Sequence, residues 1–140
     1  MKKNTDRRNS PRAGRPKSEE KRTAILNAAG DLFLSRGLAG TSMDAVSERA
    51  GVSKQTVYSH FSSKEDLFRT CIKNKVESFG FQDEDLPDNA DLEKVLTLLG
   101  KQFLHLIFDD EVVAMHRVVI GESASYPKIA GLFFETGPEK

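Results

Sequence analysis

Six hydrogen-bonding side chains occupy seven consecutive positions after Ser53, near the middle of the chain. The segment reads KQTVYSH, and only its valine is apolar. Ammonium, amide, hydroxyl and imidazole groups can bond to the base edges and phosphate oxygens of a DNA duplex. None of the seven residues is a carboxylate, which would repel phosphate, whereas an ordinary surface helix usually mixes both signs of charge. This set of side chains predicts a surface that binds nucleic acid.

Catalytic and metal-binding patterns are missing from the sequence. We find no Ser/His/Asp set, no cluster with metal-ligand spacing and no glycine-rich phosphate loop. His60 has no second ligand at a useful spacing, so a contact with the DNA backbone is the preferred interpretation. We therefore expect that the protein is not an enzyme and that it has no catalytic residue, metal site or cofactor.

The charge of the chain is divided between its two halves. Residues 1–75 carry 16 Lys+Arg against 8 Asp+Glu, a net charge of +8, and the remainder carries 5 against 13, a net charge of −8. A basic half attracts phosphates, and an acidic half must be kept away from them. The formal net charge of zero therefore does not argue against DNA as a partner.

Composition indicates a cytoplasmic protein without a membrane segment, associated with the nucleoid when it is bound to DNA. No apolar run approaches the roughly 18 to 20 residues that cross a bilayer. The basic N-terminus is not followed by an apolar stretch, so it does not read as a secretory signal. Cys71 is the only cysteine, which precludes an internal disulfide and favours a reducing compartment. We expect Cys71 to pack in a helix rather than to act as a reactive thiol.

The N-terminal segment and the first helix are predicted from turn residues and caps. Residues 1–17 are basic, contain two prolines and lack apolar periodicity, which predicts a disordered arm. Ser18, followed by two glutamates, predicts the N-cap of a first helix, and Gly37 predicts its end.

Hydroxyl caps predict three further helix starts before residue 75. The second helix is expected to end near Gly51. The capping residues are Thr41, answered by Asp44 in a capping box; Ser53, before a short helix from Lys54 to about His60; and Ser62-Ser63, answered by Glu65 and Asp66.

Helical periodicity continues in the acidic half, so the predicted class is all-α. An exposed loop is expected at 80–89, because it carries four acids, a glycine and a proline. A fifth helix is expected to start around 88–91 and to run to Ile107 with a buried apolar stripe, followed by a sixth at about 110–120 and a seventh within 125–136.

The second and third helices have the spacing of a helix-turn-helix. Small Ala45 allows the two helices to approach closely, and Gly51 can take the positive φ that the turn between them needs. Val46, Val52 and Val57 are expected to face the first helix. The polar side chains of the third helix then face outward.

The segment 14–68 resembles the N-terminal domain of the TetR family of bacterial transcriptional repressors. The resemblance is carried by ILNAAGDLFLSRGLAGTSMDAVSERAGVSKQTVYSHFSSKEDLF. It implies a helix-turn-helix domain at 18–75 whose third helix lies in the major groove. A second resemblance, of residues 118–140 to family C-terminal domains, implies that 76–140 is part of a helical regulatory domain. We expect the chain to be truncated and to lack the last helices, which usually build the dimer.

The resemblance, together with side-chain chemistry, implies roles for residues of this surface. Base contacts are expected from Lys54, Gln55 and Thr56. Phosphate contacts are expected from Thr41, Ser42, Tyr58, His60 and Lys64, and Ser53 and Ser59 complete the candidate set. Two of these residues have alternatives that stay open, since Tyr58 could pack between helices and Lys64 could serve only as a surface residue of a cap.

The basic arm offers a further contact. Arg15 lies in RAGRPK, which resembles the Gly-Arg-Pro core of AT-hook segments that insert arginine into a narrow minor groove. A solvated, nonspecific basic tail is the alternative.

The expected function is a small-molecule-responsive repressor that acts as a homodimer on a palindromic double-stranded operator. Four residues are expected to line an effector pocket: Phe103, Ile107, Met115 and His116. For any one of the apolar residues core packing is the preferred interpretation, and for His116 it is a satisfied core or surface histidine. Two other functions remain open, namely a DNA-binding protein without ligand control, truncated or architectural, and a helical protein-interaction module.

Overall fold

The computed structural model describes residues 15–79 and 91–136 and confirms the all-α class. Within these ranges the chain forms seven α-helices and no strand. Their bounds are α1 Arg15–Arg36, α2 Met43–Ala50, α3 Lys54–His60, α4 Lys64–Glu77, α5 Leu92–Ile107, α6 Asp110–Glu122 and α7 Lys128–Thr136. The loop predicted at 80–89 and the arm at 1–14 lie outside the described residues.

Three predicted helix starts are confirmed by their capping bonds. The Ser53 hydroxyl accepts a hydrogen bond from the Thr56 amide at 3.1 Å, and the Ser63 hydroxyl accepts one from the Asp66 amide at 3.1 Å. Asp91 caps α5 in the same way. Each cap satisfies an amide that has no partner within its own helix.

Two predicted helix starts are wrong. The first helix begins at Arg15 and not after Ser18, so the last residues assigned to the arm are helical. Pro16 fits there, because the first turn of a helix needs no hydrogen bond from a proline nitrogen. The second helix is capped by Ser42, which accepts from the Ala45 amide at 3.1 Å, and not by Thr41.

The core is built around α1 and joins the two parts of the chain. Phe33 of α1 and Phe68 of α4 meet edge to face with ring centroids 5.2 Å apart, and both rings are fully buried. Val57 of α3 is also fully buried in this core. The same cluster continues into α6 and α7 through Val119, Ile129 and Leu132. The helix-turn-helix and the later helices therefore share one hydrophobic core.

The fifth helix is present as predicted, but its apolar stripe is not buried. No residue of α5 is buried among the described parts of the chain, and Leu96 and Phe103 are 58% and 56% exposed. The helix packs against α6, and the ring of its His105 meets Phe79, just after α4, edge to face with centroids 5.9 Å apart. Periodicity predicts that a helix has an apolar face, but it does not supply the element that covers that face. None of the described helices is long and apolar enough to cross a bilayer.

Candidate nucleic-acid interface

The turn between α2 and α3 is fixed by Gly51 and by two buried valines. Gly51 adopts φ +68° and ψ +31°, and its amide donates to Glu48 at 3.2 Å, which ends α2. A residue with a side chain rarely adopts this backbone conformation. Val46 of α2 and Val57 of α3 then insert into the core against α1. These contacts fix the angle at which α3 leaves the turn.

Anchoring Val57 in the core turns the polar side chains of α3 outward. Lys54, Gln55, Tyr58 and Ser59 are exposed, whereas Thr56 and His60 are half-buried. Tyr58 is 48% exposed and is not packed between the helices. The structure therefore keeps outside the core all the α3 side chains that the sequence singled out.

Hydrogen bonds within this surface orient several of its hydroxyl groups. The Ser53 hydroxyl lies 2.8 Å from the Thr56 hydroxyl, and the Ser59 hydroxyl donates to the Thr56 carbonyl at 2.7 Å. Among the described residues, no hydrogen bond is made by the side chain of Gln55 or Tyr58. Those two side chains are therefore available to an external partner without breaking a protein contact.

One carboxylate lies beside this surface, which the sequence reading did not include. Asp44 is the second residue of α2, and its Oδ1 lies 2.7 Å from the Lys54 Nζ. The hydrogen bond and the charge of Asp44 raise the pKa of Lys54. The helix α3 carries no acidic residue of its own, but the ammonium group of Lys54 is paired with Asp44 of the neighbouring helix α2.

The remaining predicted contact residues take different positions. Thr41 does not fit a phosphate contact, because it is 2% exposed and its hydroxyl donates to the Gly37 carbonyl at 2.7 Å. Ser42 is exposed at the N-cap of α2, and Lys64 is half-buried at the first position of α4. Arg15 is the first residue of α1. Thr41 thus serves the turn before α2, and the other residues remain candidates.

A cavity of about 550 Å³ lies between α1, α4, α5, α6 and α7, apart from this surface. All four residues predicted to line an effector pocket contribute to its wall: Phe103, Ile107, Met115 and His116. Most of the other lining side chains are apolar, among them Leu26, Leu34 and Phe133. The His116 ring packs edge to face on Phe133, with centroids 4.9 Å apart.

Part of the polar lining of the cavity, Lys75 and Glu111, belongs to an ion cluster. The Nζ of Lys75 lies 2.7 Å from Glu111 and 3.1 Å from Asp109. Partial burial lowers the pKa of Lys75, but its hydrogen bonds to the two carboxylates outweigh that effect and raise the pKa. The cation is therefore already neutralised by the protein.

Two family profiles match this chain. The profile for bacterial regulatory proteins of the tetR family matches residues 25–71, which contain α2, α3 and most of α1. The profile for the C-terminal domain of AefR-like transcriptional repressors matches residues 94–140. The chain belongs to the TetR family. This is a family of transcriptional regulators, which confirms the expectation that the chain is not an enzyme.

Relatives within the TetR family are longer than this chain. The HTH-type transcriptional activator FasR of Mycolicibacterium smegmatis is 39% identical over 67 residues, which are 48% of this chain and 31% of that protein. The solved structure of the flavonoid-responsive regulator FrrA matches with a TM-score of 0.69 at 40% identity, covering 86% of this chain and 62% of that one. A TetR-family regulator from Mesorhizobium loti MAFF303099 matches with a TM-score of 0.65 at 31% identity, covering 86% and 61%. The chain thus spans about a third of the curated relative and about three fifths of each solved structure.

Some polar residues around the TetR-type helix-turn-helix were not singled out from the sequence. Asp44 was read only as part of a cap, although it also holds Lys54. Glu122 and Tyr126 reach the helix-turn-helix from the α6–α7 turn, and Glu122 bonds to residues 83 and 84 positions away. No local pattern points to such contacts, because they exist only once the helices have packed.

Proposed function

We propose that this chain carries the DNA-reading part of a sequence-specific transcriptional regulator, with α3 inserted into the major groove. The observation that carries the proposal is the outward side of α3, which presents donors and acceptors without an acid of its own and is fixed from behind by Val57. Lys54, Gln55 and Thr56 are proposed to contact bases, and each good contact contributes about 1 to 3 kcal/mol of discrimination.

Phosphate contacts are assigned to residues around that helix. Tyr58 and His60 present polar groups on α3, Ser42 presents one at the start of α2, and Lys64 adds a cation at the start of α4. Ser53 and Ser59 lie on the same side and complete the proposed surface. Arg15, at the start of α1, is proposed to reach the minor groove. The phosphate contacts fix the register of the helix on the duplex and make the affinity salt-dependent.

Selection of duplexes from a random pool, followed by anisotropy titrations on the selected site, tests the DNA assignment. We expect Lys54→Ala and Gln55→Ala each to weaken binding by about 5- to 150-fold and to relax the preference at one base pair. Lys64→Ala should weaken binding to all sequences alike and lower the salt slope by about 1. Lys101→Ala, an exposed lysine of α5, is the matched control. Retained affinity in the Lys54 and Gln55 variants would contradict the proposal.

The regulation is proposed to be release from DNA by a small molecule, with the chain acting as a cytoplasmic repressor. The cavity offers an apolar wall, and the C-terminal profile describes a repressor. FrrA, the relative with 40% identity, is described as flavonoid-responsive. We therefore propose an apolar, aromatic effector. Calorimetric titration with the flavonoid quercetin, with laurate as an anionic comparison, tests this assignment. If neither quercetin nor laurate gives a heat of binding, the assignment of an effector to this cavity has no support.

A homodimer on a palindromic operator completes the proposed mechanism. Two copies of α3 must sit about 34 to 36 Å apart to enter successive major grooves. An effector releases DNA only by as much as it prefers a state with another spacing. Sedimentation of the chain with and without the selected duplex tests the dimer. A single copy bound per palindrome would contradict it and would favour a DNA-binding protein without this form of control.

A further inference from the structure

The turn between α6 and α7 contacts the helix-turn-helix on the side where α2 begins. The Glu122 Oε2 accepts hydrogen bonds from the amides of Leu38 at 3.0 Å and Ala39 at 3.2 Å. These two amides belong to the turn that connects α1 to α2. One carboxylate of the last residue of α6 therefore holds the segment that leads into α2.

Gly37 makes room for this contact. A Cβ at position 37 would overlap the Glu122 carboxylate, and the residue also has φ +74°. A side chain at this position would be strained by the positive φ and would also displace the Glu122 carboxylate. The absence of a side chain at Gly37 therefore leaves the space that the carboxylate occupies.

The same turn contacts the opposite flank, where α3 has ended and α4 begins. The Tyr126 hydroxyl donates to the Glu65 Oε1 at 2.8 Å, and Glu65 is the second residue of α4. This bond lowers the pKa of Glu65. The Tyr126 amide donates to the Glu122 carbonyl at 2.7 Å, so both side chains are mounted on one tight turn.

The other end of α6 lines the cavity. Val112, Met115 and His116 are part of its wall, and Val119 is buried in the core between them and Glu122. Met115 and Glu122 are separated by about 10 Å along a single helix, at 1.5 Å per residue. A displacement of α6 at the cavity therefore moves the turn that holds both flanks of the helix-turn-helix.

We propose that Glu122 and Tyr126 form a two-point brace that positions α2 and α3 relative to α6. The proposal rests on the proposed function, since the brace positions a surface that must read DNA. Glu122 and Tyr126 are positioning residues and need not contact DNA. Each makes one or two partly exposed hydrogen bonds of modest net stability, so their consequence is the orientation of the helices rather than folding.

Binding to a full palindromic site and to a single half-site separates positioning from folding. We expect Glu122→Ala to weaken binding to the full site by about tenfold, a typical coupling, and to change binding to the half-site less than twofold. Glu122→Gln should retain most of the affinity, because its amide oxygen can accept from the same two amides. Glu135→Ala is the matched control, since it removes an exposed contact between α7 and Arg69 of α4 at 3.5 Å that does not involve the turn.

Amide hydrogen exchange tests the brace independently of DNA. In Glu122→Ala the amides of Leu38 and Ala39 should exchange at least tenfold faster, and exchange within α3 should follow. Unchanged exchange would overturn the brace, and so would equal losses on the full site and the half-site for a chain that binds the full site as a dimer. If the chain binds as a monomer, amide hydrogen exchange decides. If the wild-type chain binds no selected duplex, the proposed function fails. The brace is then tested by amide hydrogen exchange alone. Tyr126→Phe, which removes one hydroxyl group, serves if Glu122→Ala does not fold.

Discussion

The Asp44 carboxylate lies 2.7 Å from the Lys54 ammonium and joins the first turn of α2 to the first turn of α3. The pair bridges the helix-turn-helix on its exposed side, and both side chains are more than half exposed. If α3 binds DNA as proposed, Lys54 has to leave the Asp44 carboxylate before it can bond to a phosphate or to the edge of a base. Asp44 acts in this way as an internal competitor of DNA.

Removing that competitor should strengthen DNA binding. An exposed ion pair contributes about 0.2 to 1 kcal/mol, so Asp44→Asn is expected to tighten binding by about 1.5- to 5-fold. The gain should disappear in the background of Lys54→Ala. Asp110→Asn, which changes the net charge equally at the start of α6, should leave the affinity unchanged. Anisotropy titrations compare wild type, the three single variants and the double variant, and weaker binding by Asp44→Asn would count against this role.

The bond between Tyr126 and Glu65 predicts a defined pH dependence of stability. The hydrogen bond from Tyr126 lowers the folded-state pKa of Glu65 below its ordinary value of 4.5. The stabilisation is therefore present above that value and is lost as the pH falls through the lowered pKa. At high pH the same bond raises the pKa of Tyr126 above its ordinary value of 10.0. The stabilisation that the protonated phenol provides is therefore present below pH 10.0 and is lost as the pH rises through the raised pKa.

Urea unfolding at about pH 3 to 7 measures the first of these limits. Tyr126→Phe should lower the free energy of unfolding at neutral pH, and its difference from wild type should narrow below pH 4.5. Tyr58→Phe is the control, because Tyr58 is an exposed tyrosine outside this contact. A difference that stays constant down to the lowest pH would show that the carboxylate does not contribute.

Two glycines with the same backbone conformation provide a matched pair for the brace. Gly37 and Gly51 have φ +74° and +68°, but a Cβ would meet Glu122 only at Gly37 and nothing within 4 Å at Gly51. Each change to alanine should cost about 1 to 2 kcal/mol for the left-handed backbone. Gly37→Ala should cost more, and the excess should vanish when Glu122 is also changed to alanine. Equal costs in both backgrounds would mean that Glu122 does not occupy this space.

Cys71 should be chemically inert in the folded protein. Burial raises the pKa of its thiol to about 12, and the thiol points toward the Leu26 carbonyl at 3.7 Å. Because the thiolate is the reactive form, a disulfide reagent at pH 8 should label Cys71 slowly in buffer and at the rate of a free thiol in urea. Complete labelling within seconds under native conditions would contradict the packing described here.

The helix starts that the sequence predicted correctly have local causes. Ser53 and Ser63 accept hydrogen bonds from amides three residues later, so the donor and the acceptor are both visible in a short stretch of sequence. Thr41 and Ser42 are adjacent hydroxyl residues, and only the packed turn decides that Ser42 caps the helix and Thr41 turns inward.

The parts that the sequence did not predict depend on distant contacts. The periodicity of α5 correctly placed Phe103 and Ile107 on the side that lines the cavity, yet it wrongly implied that the stripe was buried. Glu122 and Leu38 are 84 residues apart, and their contact requires α6 to have packed beside the end of α1. Such contacts are set by tertiary packing and leave no signal in a window of sequence.

Chemical-shift mapping with the selected duplex tests the central claim most directly. Amide spectra of the chain with and without DNA should show their largest changes at residues 54–60, with smaller changes near Ser42 and Lys64. A duplex with a scrambled sequence should reproduce only the chemical-shift changes of the residues that contact phosphates. If residues 54–60 stayed unperturbed while another surface responded to the duplex, α3 would not be the DNA-reading helix.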